Sequence, residues 1–290
     1  MQYLIDVLSQ GSLYALCALG IALTFGVMRL INFAHGEFMM VGGYVLVVAG
    51  DIPVWAALLS SVIIVGFLAV ATERIAFRPV RNADPETMLV TSFAVSFLLQ
   101  SLAVLLFGSL GRSVRVFPPS ITGVMHIGGL NIRWLDIITV AVTVTLLVSL
   151  MAFMKTRHGV ELRAAAENFT VARLLGVKAN QVIGTAFAIS GVFAAATSIV
   201  LAAQRGLVEP TFGTTTMLFA FIAVIVGGMG SLPGAVLGAY ALGLISVTSQ
   251  ALLPLGLRQF RDAFIFLVVV LILLLRPEGI LRGHAARVRI

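Results

Sequence analysis

Asn32, His35 and Glu37 lie within the segment INFAHGEF, with long apolar sequence on both sides. His35 and Glu37 are the best-placed ionisable pair in the chain. Ionisable groups at membrane depth are costly and usually functional. Two readings stay open. Asn32, Phe33, His35, Gly36 and Glu37 line a pathway or brace a broken helix, or the polar ones sit at an interface and are simply solvated. Gly36, Gly42 and Gly43 would let neighbouring helices approach closely, or serve ordinary helix packing.

Other chemistry finds little support. His35, His126, His158 and His284 are far apart in sequence, and none belongs to a metal-ligand pattern. No Walker A sequence is present, so ATP would not bind this chain by that route. The glycine cluster at residues 228–234, with Gly228, Ser231 and Gly234, lacks the lysine of a phosphate loop and sits inside an apolar run. Cys17 is the only cysteine, which excludes an intrachain disulfide or thiolate cluster. No metal and no cofactor is expected on this chain.

The elements that must hold these residues are apolar spans. Of 290 residues, 60% are hydrophobic and 11% charged, against about 25% charged in soluble domains. The expected fold is an all-α polytopic membrane protein forming one transmembrane domain, residues 1–290. The net charge of +7 is scattered between apolar spans. Positive loops facing an anionic leaflet explain it better than nucleic acid does, and membrane lipid is the expected surrounding. The N-terminal MQYLIDVLSQ lacks the positive region of a cleaved signal peptide, so it is expected to be retained.

Uncharged runs at residues 7–28, 52–72, 87–111, 137–154 and 179–204 read as spans, since roughly 20 apolar residues cross a bilayer. Residues 38–50 are too few to cross unless residues 32–37 also enter the membrane. Residues 210–257 carry no charge and are too long for one crossing; the glycine cluster supplies the break. Residues 263–275 form a short last span. Residues 73–86 read as a loop, with Pro79 and Pro85 breaking helix. Residues 112–136 read as an extended or hairpin-like cap containing Gly128 and Gly129. Eight or nine membrane segments are expected, some broken or short. Placing residues 73–86, 155–178, Arg29 and the C-terminal tail in the cytoplasm puts 13 of the 19 basic residues there. Residues 112–136 then cap the opposite side, and the C-terminus is cytoplasmic.

Gly42-Gly43-Tyr44-Val45-Leu46 resembles Gly238-Ala239-Tyr240-Ala241-Leu242, each after a glycine-containing break. This faint repeat suggests paired discontinuous helices related as an inverted repeat, where transporters place substrate pathways.

The longest polar island, residues 155–178, reads KTRHGVELRAAAENFTVARLLGVK. Gly159 and Gly176 punctuate it. Helix formers fill residues 161–169, and Thr170 is placed to cap a second turn over residues 171–175. Charges face one way, while Leu162, Ala165, Phe169, Leu174 and Leu175 face another. The island is either a charged loop that fixes topology or a docking surface for a soluble partner. Its length, 24 residues, favours docking.

Three segments together carry a family resemblance. GIALTFGVMRLINFAHGEFMMVGGY (residues 20–44), GVELRAAAENFTVARLLGVKANQV (159–182) and GGMGSLPGAVLGAYALG (227–243) occur in order over nearly the whole chain. The sequence resembles the permeases of branched-chain amino acid ABC importers of the LivH type. The resemblance implies an inner-membrane subunit of a bacterial importer with four kinds of partner: a homologous second permease, two cytoplasmic ATPase subunits that bind the ATP, a periplasmic substrate-binding protein, and lipid. It implies a transport subunit and not an enzyme. It also places a coupling helix on Glu161, Arg163, Ala164, Ala165, Glu167, Asn168, Arg173, Leu175 and Gly176. The implied cargo is a branched-chain or other hydrophobic amino acid. Related permeases also handle urea and short amides. An ion-coupled transporter or a simple channel would need no docking island.

Overall fold

Peptide groups in lipid find no water, so each spanning segment must satisfy them internally, as helix. The computed structural model describes residues 1–29, 31–81, 83–118, 123–127, 130–276 and 279–281. The helices run in order: α1 (Gln2–Met28), α2 (His35–Val48), α3 (Val54–Thr72), α4 (Arg78–Val80), α5 (Pro85–Phe107), α6 (Trp134–Met154), α7 (Arg157–Glu167), α8 (Phe169–Leu174), α9 (Ala179–Arg205), α10 (Thr214–Gly227), α11 (Leu232–Leu252) and α12 (Arg261–Leu275). Six helical stretches are long and apolar enough to cross a membrane: α1, α3 through α4, α5, α6, nearly all of α9, and α11. The shorter apolar α2, α10 and α12 bring the membrane segments to nine among the described residues. The protein is an all-α polytopic membrane protein.

Four short strands lie outside this bundle. Strand β1 (Arg112–Ser113) pairs antiparallel with β4 (Leu207–Val208), Arg112 opposite Val208. Strands β2 (Val124–Ile127) and β3 (Leu130–Arg133) form a hairpin, Ile127 opposite Leu130. Gly128 and Gly129, expected in this cap, lie outside the described residues, as do Arg282, His284, Arg287 and Arg289 of the tail.

Side-chain bonds sort the helix ends into two sets. Ser9 Oγ donates to Asp136 Oδ1 at 2.7 Å, and the Gln204 amide donates to Thr139 Oγ1 at 3.3 Å. The hydroxyls of Tyr3 and Thr248 are 2.5 Å apart. The starts of α1 and α6 and the ends of α9 and α11 therefore share one end of the bundle, with the hairpin. At the other end Arg29 donates to the Ala166 carbonyl, and Arg81 to Asn180 Oδ1 at 2.9 Å. Past α12, Ile280 N–H donates to the Val226 carbonyl at 2.7 Å, which returns the chain to this same island end.

Helices α1 and α9 form the antiparallel centre. In their most apolar stretches 83% and 72% of residues are buried, against 11% in α5, which lies at the periphery. The packing repeats itself. The lengths of α1, α2 and α3 are 27, 14 and 19 residues; those of α9, α10 and α11 are 27, 14 and 21. Helix α1 packs along α11 and α10, while α9 packs along α3 and α2, so each set embraces the centre of the other. With α1 and α9 running in opposite directions, this is an inverted repeat. Its register differs from the one suggested by the pentapeptides: Gly42–Leu46 (residues 42–46) lies in α2, whose counterpart is α10, whereas residues 238–242 lie in α11. That similarity reflects the common need for small residues at tight crossings. A Cβ on Gly243 would stand 2.7 Å from Gly11 Cα, and one on Gly191 would stand 3.0 Å from Gly66 Cα. The two contacts occupy corresponding places in the two sets.

The loop expected at residues 73–86 is shorter than the sequence suggested. Helix continues through a π-turn, Glu73–Phe77, into α4. Pro79 removes one backbone donor, and the wide turn preceding it accommodates the loss. The buried Glu73 carboxylate pairs with the Arg81 guanidinium and fixes the helix end.

Substituting Gly191→Val should lower the unfolding temperature of the purified protein in detergent, at a cost of about 1–3 kcal/mol. Gly184→Ala, whose added methyl meets nothing within 4 Å, should not. Equal melting of both variants would contradict the tight α3–α9 crossing.

Candidate functional site

The first break separates α1 from α2. Arg29 closes α1 in a left-handed conformation, φ 54°, its N–H bonded to the Phe25 carbonyl. Asn32 Oδ1 then accepts from Ala34 N–H at 3.1 Å, and the Asn32 carbonyl accepts from His35 N–H at 3.2 Å. Asn32 thus builds the turn that starts α2, which is a bracing role. The break lies deep: a Cβ on Gly20, eight residues before the end of α1, would come within 2.6 Å of the His35 ring. The 14-residue α2 begins inside the membrane layer, which explains how so short a helix can take part in a crossing.

His35 and Glu37 are buried, 1% and 2% exposed, so the reading of them as solvated interfacial groups is overturned. His35 Nδ1 lies 3.2 Å from the Ser190 hydroxyl on α9. Glu37 Oε1 accepts from Ser96 Oγ on α5 at 3.0 Å. His35 Nε2, Glu37 Oε2 and Asn32 Nδ2 have no hydrogen-bond partner among the described residues. A buried unpaired polar atom costs about 1–3 kcal/mol, so three in six residues form an expensive locus. Phe33 stacks on Phe93 at 4.1 Å and tilts towards Phe221 at 6.3 Å. Gly36 lies against the backbone of Gly213, where a Cβ would meet the carbonyl carbon at 3.4 Å, so α2 and α10 start side by side.

Gly228, Ser231 and Gly234 do not join this locus. They form the α10–α11 break, at the far end of α10 and about 20 Å along its axis from Gly213. Ser231 Oγ accepts from Gly234 N–H at 3.1 Å as the N-cap of α11, and Gly230 lies beside Arg29. One end of α10 meets the Asn32–Glu37 locus, and the other meets the island end.

The island folds as two helices. Thr156 caps α7, its Oγ1 accepting from Gly159 N–H at 3.4 Å. Asn168 caps α8, accepting from Val171 N–H at 3.1 Å; Thr170, expected in that role, lies inside the helix instead. Asn168 prevails because its extended backbone lies where a cap must stand. Gly176 ends the unit at φ +89°, a conformation that suits glycine. Leu162 and Ala165 are buried, with α7 packed on α1, α6 and α9. Leu174 and Leu175 were expected on the same apolar face, but they are 82% and 79% exposed, beside the exposed Arg173. The cap at Asn168 redirects the chain, so α8 presents its end outward. Arg163 and Glu167 are also exposed, whereas Glu161 is partly covered and pairs with Arg157 at 3.2 Å. Ala164 is half-buried. Among the described residues no group of three or more His, Cys, Asp or Glu side chains could hold a metal ion.

Ser96, Ser190, Gly20 and Gly213 were missed in the sequence. The two serines carry a usable signal, as hydroxyls in otherwise apolar spans. The two glycines carry none without the neighbouring helix.

Gly20→Ala should destabilise the protein through contact with the His35 ring, and His35→Ala should relieve that contact. Thermal unfolding of the single and double variants should give a coupling of about 0.5–3 kcal/mol. Strict additivity would show that the two groups do not meet.

Residues 3–273 match the family model described as branched-chain amino acid transport system / permease component. The chain is 32% identical to the high-affinity branched-chain amino acid transport system permease protein BraD of Pseudomonas aeruginosa, over 97% of this chain and 95% of that one. It is also 32% identical to LivH of Escherichia coli, over the same shares. Similarity to an autoinducer 2 import system permease protein, LsrC of Photorhabdus luminescens, is 31% over 48% of this chain and 44% of the relative.

Proposed function

The chain belongs to the branched-chain amino acid transport permease family, and from that premise we propose that it is the permease subunit of an ABC importer for branched-chain or other hydrophobic amino acids. In this reading it sits in a bacterial inner membrane with the island end and C-terminus in the cytoplasm. A homologous permease pairs with it, two cytoplasmic ATPase subunits dock on the island, and a periplasmic binding protein delivers cargo to the hairpin end. The ATP is bound by the ATPase subunits, so this chain needs no cofactor of its own.

The observation that carries the reading is the two-sided build of α7 and α8. Leu162 and Ala165 anchor α7 to the bundle, while Arg173, Leu174 and Leu175 are left exposed. Exposed leucines beside an arginine suit a protein groove better than water. ATP closes the ATPase dimer, and the docked island moves with it. Arg29 passes that motion on: its guanidinium donates to the Ala166 carbonyl of α7, and its backbone is the first residue of the break leading to His35. Gly230 of the other break lies beside the same guanidinium. Movement of α7 would thus reach both discontinuous segments and switch the open side of the pathway near the Asn32–Glu37 locus.

Affinity purification from native membranes tests the docking. Leu174→Asp with Leu175→Asp, or Gly176→Arg, should lose the ATPases while retaining the second permease. Arg29→Ala should keep the ATPases bound and reduce ATP-driven uptake about tenfold or more, as loss of a charge-assisted hydrogen bond worth roughly 1.5–3 kcal/mol predicts. ATPases retained by all the island variants would refute the coupling role.

A further inference from the structure

At the hairpin end two adjoining cavities, about 530 and 410 Å³, share Gln10, Gln204 and Arg258 in their walls. The smaller one falls in the size range of small-molecule sites, about 300–1,000 Å³. Its lining is mixed. Arg205, Arg258, Arg261 and Asp262 supply charge, while Leu13, Leu201 and Phe219, each nearly fully buried, supply apolar surface. Charge of both signs together with buried apolar side chains in one lining fits a molecule with a zwitterionic head and a short apolar tail.

The charged groups differ in how far they are already engaged. Arg133, in the larger cavity, is held by Asp136 through two 3.1 Å bonds. Arg205 lies over the Phe212 ring at 5.9 Å. Among the described residues Arg258 donates through its Nε alone, to the Leu253 carbonyl at 3.4 Å, which leaves its two terminal nitrogens open to an acceptor. The Asp262 side chain is 54% exposed, with Arg261 Nε at 3.6 Å as its ion-pair partner. A guanidinium with both terminal nitrogens open is suited to a carboxylate, which it can bind through two parallel hydrogen bonds.

We propose that this cavity is a transient site for a free hydrophobic amino acid. Arg258 takes the α-carboxylate, Asp262 the α-ammonium, and Leu13, Leu201 and Phe219 receive the side chain. The assignment rests on the importer reading for its cargo, and it places an acceptor site ahead of the Asn32–Glu37 locus. Because α1, α9, α10 and the segment before α12 all contribute walls, motion between the two repeats would change the site's shape.

The test uses the complete transporter in lipid nanodiscs and photo-leucine, a diazirine amino acid, as probe. Irradiation should label peptides carrying Leu13, Leu201 or Phe219. Excess leucine should suppress the label, and leucinamide, which lacks the carboxylate, should not. Arg258→Gln should weaken labelling about tenfold, the equivalent of a lost charge-assisted hydrogen bond, with partial recovery in Arg258→Lys. Asp262→Asn should weaken competition by leucine but not by 4-methylpentanoate, which lacks the amine. Label confined to other parts of the chain, or cavity label unaffected by Arg258→Gln, overturns the site. Uptake of leucine by proteoliposomes with the binding protein separates the two readings. Intact uptake without cavity label overturns the site alone. Leucine-sensitive cavity label without ATP-driven uptake supports the site and overturns the importer.

Discussion

No peptide group can be left facing lipid unpaired, and that constraint governs this fold. The chain interrupts its helices at residues 29–34, 206–213 and 228–231. Each interruption frees backbone donors and acceptors, and each holds buried residues: Asn32 and Ala34 in the first, Val208 and Phe212 in the second, Gly228 in the third. Helices α1 and α9 do most of the covering. They are buried nearly all round, and their small residues let α11 and α3 come close enough to exclude lipid. Where side chains are needed, they are local: Asn32 closes the first break, and Ser231 caps the helix after the third.

The inverted repeat turns this covering into a mutual arrangement. Each long central helix shields the short helix of the other set, and the two short helices meet at Gly36 and Gly213. A contact of this kind has little freedom to slide, so relative motion of the sets must be absorbed at the breaks. Arg29 stands where α7, the first break and Gly230 come together. Under the proposed function this is the shortest route from a cytoplasmic motor to the buried polar locus.

Polarity divides along the bundle axis. One end carries exposed leucines on a helical island, suited to a protein partner. The other carries a cleft with charges of both signs above a buried apolar wall, suited to a small amphipathic molecule. Between them lie His35 and Glu37, whose neighbouring hydroxyls satisfy only one atom each. Under the proposed function this is the order in which a cargo is received, passed and released, with each layer built from a different chemistry.

Length and hydropathy determined the membrane class, nearly all of the spans, the split of residues 210–257 and the end of the bundle to which most basic residues belong. They did so because a bilayer imposes a minimum apolar length and backbone satisfaction on any sequence. The polar island was legible as a structured unit from its helix formers and its two glycines, and the segment INFAHGEF from polar residues where apolar ones were due. Tertiary structure decided the rest. Whether His35 and Glu37 were solvated or enclosed depended on Ser190, Ser96 and Gly20, which lie on other helices. The true repeat register, α2 with α10, lay in packing, since helix length and partner are kept where side-chain identity is not. The outward turn of Leu174 and Leu175 followed from a single cap at Asn168. The outer cleft gathers residues 10, 204 and 258, each unremarkable in its own segment, and only the packing of α1, α9 and the segment before α12 brings them to one wall.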